Sequence, residues 1–285
     1  MHALDALEAI VDLDAYPIHR LDSTARRDLV AETRTQMDAV GCCRIGDFMR
    51  PEAVATMLEE ATSLHHATFW AEQTHNPYAS PGDLGLPESH PRNVMQHRMS
   101  GFINSDLLPQ TSLLNQIYGS NVMTHFVWDC LGTDRPIYQW ADPLGRNPYG
   151  VMETDHYFPW HFDGNEFTVS ILVQKADEGG VFEYVPDIRL PNDENYERVQ
   201  YILEGGRDGV HELDLVPGDL QLFKGRFSMH RVTRIVGDTT RIIALPTYVY
   251  DPFRMNSPHH AETFYGRATD LHTSRAGLLV DGLAD

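Results

Sequence analysis

The chain is poor in cysteine and in positive charge, and it contains no long apolar run. Three cysteines in 285 residues, two of them adjacent at Cys42 and Cys43, cannot build a disulfide framework. Neighbouring cysteines rarely close a bridge because the geometry is poor. No CxxC pair or zinc-finger spacing is present, which argues against a thiolate metal site. No segment approaches the roughly 20 consecutive apolar residues of a membrane helix, so no membrane partner is expected. The first residues, MHALDALEAIVDLDAYPIHR, carry acids where a secretion signal carries basic residues, and a cytoplasmic protein is the expectation. Lysine and arginine total 22 against 41 acidic residues, a net charge of −19. That field repels phosphate backbones, so nucleic acid is not an expected partner. Solubility accounts for the charge as well as a small cationic substrate does. Internal repeats and low-complexity tracts are also missing.

What is present is an ordinary share of hydrophobic residues, 42%, enough to bury a core. LDSTARRDLVAETRTQMDAVG reads as a helix, with Asp22 or Ser23 as a start signal and Gly41 as a stop. CCRIGDF reads as a strand, and MRPEAVATMLEEATSLHHATFWAE as a second helix with Pro51 in its first turn. Residues 74 to 96, rich in Pro, Gly, Ser and Asn, form a long loop of the kind that often serves as a lid. SLLNQIYGSNVMTHFVWDCLG is a third helical pattern ending at Gly132. From about residue 137 short apolar runs alternate with turns: PIYQWAD, GVMETDHYF, FTVSILVQ, VFEYVPDI, HELDLV, DLQLFKG, HRVTRIV and RIIALPTYVY. Such spacing predicts a sandwich or jelly roll. The simplest organisation is one domain over 1–285. Its parts would be mainly helical over 1–135, a β core over 136–255 and a tail over 256–285 packed on one end.

The chemistry concentrates in WHFDGNEF, residues 160 to 167. Side chains alternate along a strand, so His161 and Asp163 share a face while Trp160 and Phe162 point away. FSMHRVTRIV offers a third ligand, His230, 67 residues after Asp163. Two histidines and one carboxylate suit iron(II) and leave positions open for a chelating co-substrate and dioxygen. HxD alone is a weak signal, and three features strengthen it. Arg241, eleven residues after His230, can grip a carboxylate with two parallel hydrogen bonds. The paired glycines of EGGVFEYVP fit a tight hairpin turn. VPGDLQLFKGRFSMHRV places a Pro-Gly-Asp turn before the strand that leads to His230. Asn165 falls on the ligand side, where it orients a co-substrate or substrate or else satisfies a turn.

From about residue 94 to residue 267 the chain resembles the iron(II)/2-oxoglutarate oxygenase superfamily. The resemblance rests on the ordered set HxD, GG-x-FEY, PGDL-x-LF-x-GR-x-S-x-HRV and a following arginine. WHFDGNEFTVSILVQ and FEYVPDIR make it most similar to the branch of free-amino-acid hydroxylases and halogenases. The resemblance implies a mainly β fold with flanking helices around a double-stranded β-helix (jelly-roll, cupin-like) core. It implies iron(II) on His161, Asp163 and His230, with 2-oxoglutarate and dioxygen as co-substrates. Arg241 would hold the distal carboxylate of 2-oxoglutarate, and Asn147 and Tyr149 would be polar contacts to it. The halogenases of that branch carry glycine in place of the metal carboxylate, so Asp163 favours hydroxylation of an unactivated C–H bond in a small molecule, a free amino acid or derivative.

Substrate candidates are Asn165, Glu153 and Asp155 for an ammonium group, Arg98 for a carboxylate, and Arg267 in the tail motif FYGR. The adjacent pairs His65–His66 and His259–His260, together with His156, read as surface or capping residues. Within the enzymes the rivals are desaturation, cyclisation or another metabolite substrate. Outside them stands a non-catalytic cupin-like metabolite-binding protein. A homo-oligomer is compatible with everything above.

Overall fold

The computed structural model describes residues 3–275 and 283. In chain order it begins with α1 (Ala3–Glu8), α2 (Thr24–Val40), β1 (Cys42–Ile45), α3 (Pro51–Leu64), β2 (Phe69–His75) and β3 (Gln96–Ile103). There follow α4 (Leu113–Tyr118), α5 (Asn121–Leu131), β4 (Tyr138–Gln139), β5 (Tyr149–Met152), β6 (Phe158–His161) and β7 (Phe167–Gln174). The rest comprises β8 (Glu178–Gly179), β9 (Phe182–Val185), α6 (Tyr196–Leu203), β10 (His211–Leu213), β11 (Leu220–Phe223), β12 (Met229–Val232), β13 (Ile235–Val236), β14 (Arg241–Ala244), β15 (Thr247–Val249), α7 (Pro258–Tyr265) and α8 (Asp270–Ser274).

The strands form a large sheet in the order β1-β11-β7-β14-β5-β3-β2, with β15 attached at β7 and β4 at β15, and a small sheet in the order β10-β9-β12-β6. All the pairings are antiparallel. The two sheets face each other across a cavity to whose wall both contribute, the double-stranded β-helix expected of the sequence, with helices on the outside of the large sheet.

Alternation along two strands decides what faces inward. In β7, Phe167, Val169, Ile171 and Val173 join the core against the helices, while Thr168 and Ser170 line the cavity. In β14, Ile242 and Ala244 take the helix side and Arg241 and Ile243 the cavity side. The apolar outer face is buried under α2, α3 and α5, which supply Met37, Met57, Phe126 and Val127 to the same core.

Three segments differ from the sequence expectation. FWAEQTH is strand β2, not the end of a helix: α3 stops at Leu64, and residues 69–75 pair along their whole length with β3. Three strands therefore enter the large sheet from before residue 136, so that position is no boundary between a helical part and a β core. The third helical pattern is two helices, α4 and α5, divided at Gly119 and Ser120, whose hydroxyl caps the second.

The paired glycines do not close a hairpin. Gly179 and Gly180 both take the left-handed conformation (φ 71° and 63°) and pass the chain from β8, paired with β13, into β9 of the small sheet. The loop after β2 is anchored at its start, where Asn76 to Ser80 are buried, Phe162 donates its N–H to the Pro77 carbonyl and Tyr78 stacks on Phe162. No helix among the described residues is long and apolar enough to cross a membrane. Part of the tail, 276–282 and 284–285, lies outside the described residues.

Candidate metal centre

His161 ends β6, and His230 lies directly opposite it in β12. Opposed residues of an antiparallel pair present their side chains on one face, and these two rings have centroids 4.0 Å apart. Backbone carbonyls fix both rings. His161 Nδ1 lies 2.9 Å from the Pro159 oxygen, and His230 Nδ1 lies 3.0 Å from the Ser228 oxygen. A carbonyl only accepts, so Nδ1 carries the hydrogen in each ring and Nε2 keeps its lone pair. Burial, with the neighbouring His230 ring adding to it, pushes the His161 pKa well below the usual range, so the neutral imidazole that ligates metals is favoured.

Asp163 brings the third donor. Its N–H donates to the Gly225 carbonyl at 3.0 Å, just beyond the end of β6. A Cβ at residue 225 would lie 1.9 Å from Asp163 Oδ2, so only glycine admits the carboxylate there. Thr168 donates its hydroxyl to Oδ2 at 2.6 Å and itself accepts from the Asn165 amide at 2.8 Å. This chain holds Oδ2 back and turns Oδ1 to the imidazoles, 3.3 Å from His230 Nε2 and 3.7 Å from His161 Nε2. Burial would raise the Asp163 pKa, but the two histidines, His230 first, and the Thr168 hydroxyl outweigh it and hold the group below the usual carboxylate range. Two nitrogen donors and one oxygen donor thus lie within 4.8 Å of one another, the one such trio among the described residues.

On the facing sheet Arg241 lines the same cavity at 5% exposure. It has no hydrogen bond or ion pair with any described residue, and burial alone lowers its pKa to about 10. A buried guanidinium without an anion is costly. Room for it comes from Gly180, where a Cβ would lie 2.8 Å from Arg241 Cδ. The cavity measures about 120 Å³, against the roughly 10–15 Å³ that one water needs, so it has space for an organic ligand.

Of the other sequence candidates, Asn165 lines the cavity, but its amide is spent on the Phe167 carbonyl and Thr168. Asn147 and Tyr149 do not line it. Asn147 donates to Asn115 on α4, and Tyr149 points to the helix side of the sheet, its hydroxyl on Glu60 of α3. The phase of β5 explains this: Gly150 and Met152 face inward, so Tyr149 faces out. Glu153 is partly exposed and pairs with His65, Asp155 with Arg234, and Arg267 with Asp106, all away from the cavity. Arg98 is fully buried one layer behind the wall, against the rings of Phe102, Phe158 and Phe264.

His260, expected to be a surface or capping residue, is buried and lines the cavity beside Asn256, Phe264 and Tyr265. Trp160 turns outward, into a cluster with Tyr78, Ile188 and Val199; Phe162 belongs to the same cluster but also contributes to the cavity wall. Thr168, Ser170 and Gly225 went unread in the sequence. FTVSILVQ carries a usable signal, since small polar residues alternate there with large apolar ones on a strand buried on both faces.

Residues 25–263 match the family described as halogenase D. No curated protein matches the chain. Among solved structures, AviO1 from Streptomyces viridochromogenes Tue57 is similar over 80% of this chain and 97% of its own, with 16% identity and a TM-score of 0.54. SnoN, a non-heme α-ketoglutarate-dependent epimerase of nogalamycin biosynthesis, is similar over 78% of this chain and 81% of its own, with 12% identity and a TM-score of 0.55. SnoK, a carbocyclase of the same biosynthesis, is similar over 76% and 82%, with 11% identity and a TM-score of 0.52. At these identities the likeness is one of fold.

Proposed function

The chain belongs to the halogenase D family, and on that footing we propose that it is an iron(II)- and 2-oxoglutarate-dependent oxygenase that hydroxylates an unactivated C–H bond of a small molecule. The observation that carries the reading is the convergence of His161 Nε2, His230 Nε2 and Asp163 Oδ1 beside the unpartnered Arg241. Two imidazole nitrogens and a carboxylate oxygen, with no cysteine among the described residues of the cavity wall, are a donor set that iron(II) accepts. They would hold an ion from one side and leave its other side toward the cavity that they line. Arg241 meets the need of a dicarboxylate co-substrate for a buried cation at its far end. Iron bound there with 2-oxoglutarate and dioxygen supplies the oxidising power that an unactivated C–H bond requires.

The protein's own part is positioning and exclusion of water. The Pro159 and Ser228 carbonyls set the tautomer and plane of the two imidazoles. Thr168 and Asn165 set the rotamer of Asp163. Phe158, Phe264 and Phe102 line the approach with hydrocarbon. Hydroxylation is preferred to halogenation because Asp163 fills the ligand position that a halide would need. Gly225 and Thr168 accommodate that carboxylate on both sides.

For the substrate, a free amino acid keeps one support. Arg98 has two terminal nitrogens without a partner, and its Nε donates to Ser100. A substrate carboxylate would reach it by displacing Phe158 or Phe264. Glu153 and Asp155 lie outside the cavity, and no ammonium partner is proposed for them.

The test is mass spectrometry of the iron-loaded protein with 2-oxoglutarate, ascorbate and air over a panel of small metabolites, with His161→Ala as control. One oxygen gained by a panel compound, with matching succinate that the variant fails to form, is the expected result. Loss of two hydrogens instead would reassign the reaction to desaturation or ring closure. No succinate from protein shown to hold iron would leave a metabolite-binding module.

A further inference from the structure

Beyond the metal ligands and Arg241, the cavity wall is largely hydrocarbon, interrupted by polar side chains such as Asn165, Thr168, Ser170, Asn256, His260 and Tyr265. Phe158 lies over the metal-site ring of His161 with 4.0 Å between centroids. Phe264 stacks on Phe158 at 5.9 Å, and His260 stacks on Phe264 at 4.3 Å, so one row of rings runs from β6 to α7. Phe102, Ile243 and Leu245 add to the apolar part of the wall. Among the described residues no lysine, no glutamate and no aspartate other than Asp163 lines the cavity. Several of its other polar groups are neutral and uncommitted: the Asn256 amide and the Ser170 and Tyr265 hydroxyls line the space without a side-chain hydrogen bond to any described residue.

We infer that the substrate offers the metal an uncharged, apolar body, an alkyl chain or a ring, with no cationic group on it. The inference rests on the reading proposed above, in which Asp163 serves the metal and Arg241 the co-substrate. An ammonium among Phe158, Phe264 and Leu245 would shed its hydration and find no carboxylate. Aromatic faces attract cations in general, but here they already serve one. The Arg98 guanidinium sits 4.4 Å from the centroid of Phe158, 4.5 Å from Phe264 and 5.2 Å from Phe102. A substrate cation on the cavity side of those rings would meet Arg98 as a like charge. A methylene in the same place gains burial. Asn256 and Tyr265 add neutral hydrogen bonds, which suit a hydroxyl, carbonyl or amide on the substrate.

The test uses the full chain loaded with nickel(II) and 2-oxoglutarate, where calorimetry reads binding without turnover. The probes are pairs that differ by a terminal ammonium: hexanoate against 6-aminohexanoate, and norleucine against lysine. The member without the terminal ammonium should, in at least one pair, bind tenfold or more tightly than its partner, and neither pair should show the reverse. Phe264→Ala should weaken that member roughly tenfold while 2-oxoglutarate binds as before, and Leu245→Glu should turn the preference toward the ammonium. A member with the terminal ammonium binding as tightly as its partner overturns the inference. So does failure of both hexanoate and norleucine to bind while 2-oxoglutarate does. Failure of 2-oxoglutarate itself overturns the underlying reading of the cavity, and the same titration shows it separately.

Discussion

At the His161 end of the cavity the groups that bear on the centre are tied from behind: both Nδ1 atoms rest on carbonyls, and Asp163 Oδ2 is held by Thr168. Arg241, on the facing sheet, is not tied, and its guanidinium faces the space without a hydrogen bond to any described residue. The difference matches two kinds of occupant. A metal ion needs donors fixed before it arrives, because its affinity depends on their geometry. An organic ligand brings its own hydrogen-bonding groups, so its site keeps polar groups unspent until it binds. Untied polar groups in a buried wall thus mark where exchangeable ligands go, and tied ones where a resident ion sits.

The contrast breaks most sharply at Arg241. Arg241→Ala should weaken 2-oxoglutarate binding on the order of 100-fold or more, the scale of a lost buried charge-assisted pair, and leave metal affinity unchanged. Calorimetric titrations of metal and of 2-oxoglutarate check both halves, and an equal loss of metal affinity would show that the two ends are not independent.

His75 tests the layer behind the wall. Its Nδ1 is spent on the Asn76 carbonyl, its Nε2 has no partner, and burial, with Arg98 also opposing the proton, lowers its pKa from 6.5 to about 4. The unfolded chain takes the proton from about pH 6.5 downward and the folded chain only near pH 4. Stability contributed by the neutral ring should therefore fall as pH drops through that window, by roughly 2–3 kcal/mol. Denaturant melts from pH 7 to pH 4 measure the slope, and His75→Phe should flatten it.

Smaller effects belong to the tied end. Gly225→Ala must displace the Asp163 carboxylate and should cost 10- to 100-fold in metal affinity; Thr168→Ala should cost about tenfold, with Thr168→Ser restoring it. Smallest is Tyr149→Phe, which loses one hydrogen bond to Glu60 and about 1 kcal/mol of stability. Chemical melts read that loss, and the 2-oxoglutarate titration should show no change.

Much of the tied end was legible because its signals are local. His161 and Asp163 are two apart, strand periodicity puts both on one face, and His230 and Arg241 follow in clear strands. The jelly roll was legible for the same reason, since β7, β11 and β14 each read as short strands between turns. Tyr149 misled because β5 is buried on both faces, leaving the phase of its alternation to be set by its partners β14 and β3. FWAEQTH misled because its strand form depends on pairing with residues 96–103, across a loop of some 20 residues. The wall from Asn256 to Tyr265 was hidden because α7 reaches the cavity only through the tertiary fold, and its histidine pair gives no local hint of which ring turns inward.

The claim on which the rest depends is that one cavity holds a metal at its tied end and a dicarboxylate reaching to its untied end. The direct measurement is titration of 2-oxoglutarate into metal-free and iron(II)-loaded protein under anaerobic conditions, repeated with His161→Ala. Linkage requires the metal and the co-substrate to strengthen each other equally. The account predicts at least tenfold tighter binding of 2-oxoglutarate when iron is present, with the gain lost in the variant. Equal affinity with and without iron would contradict it.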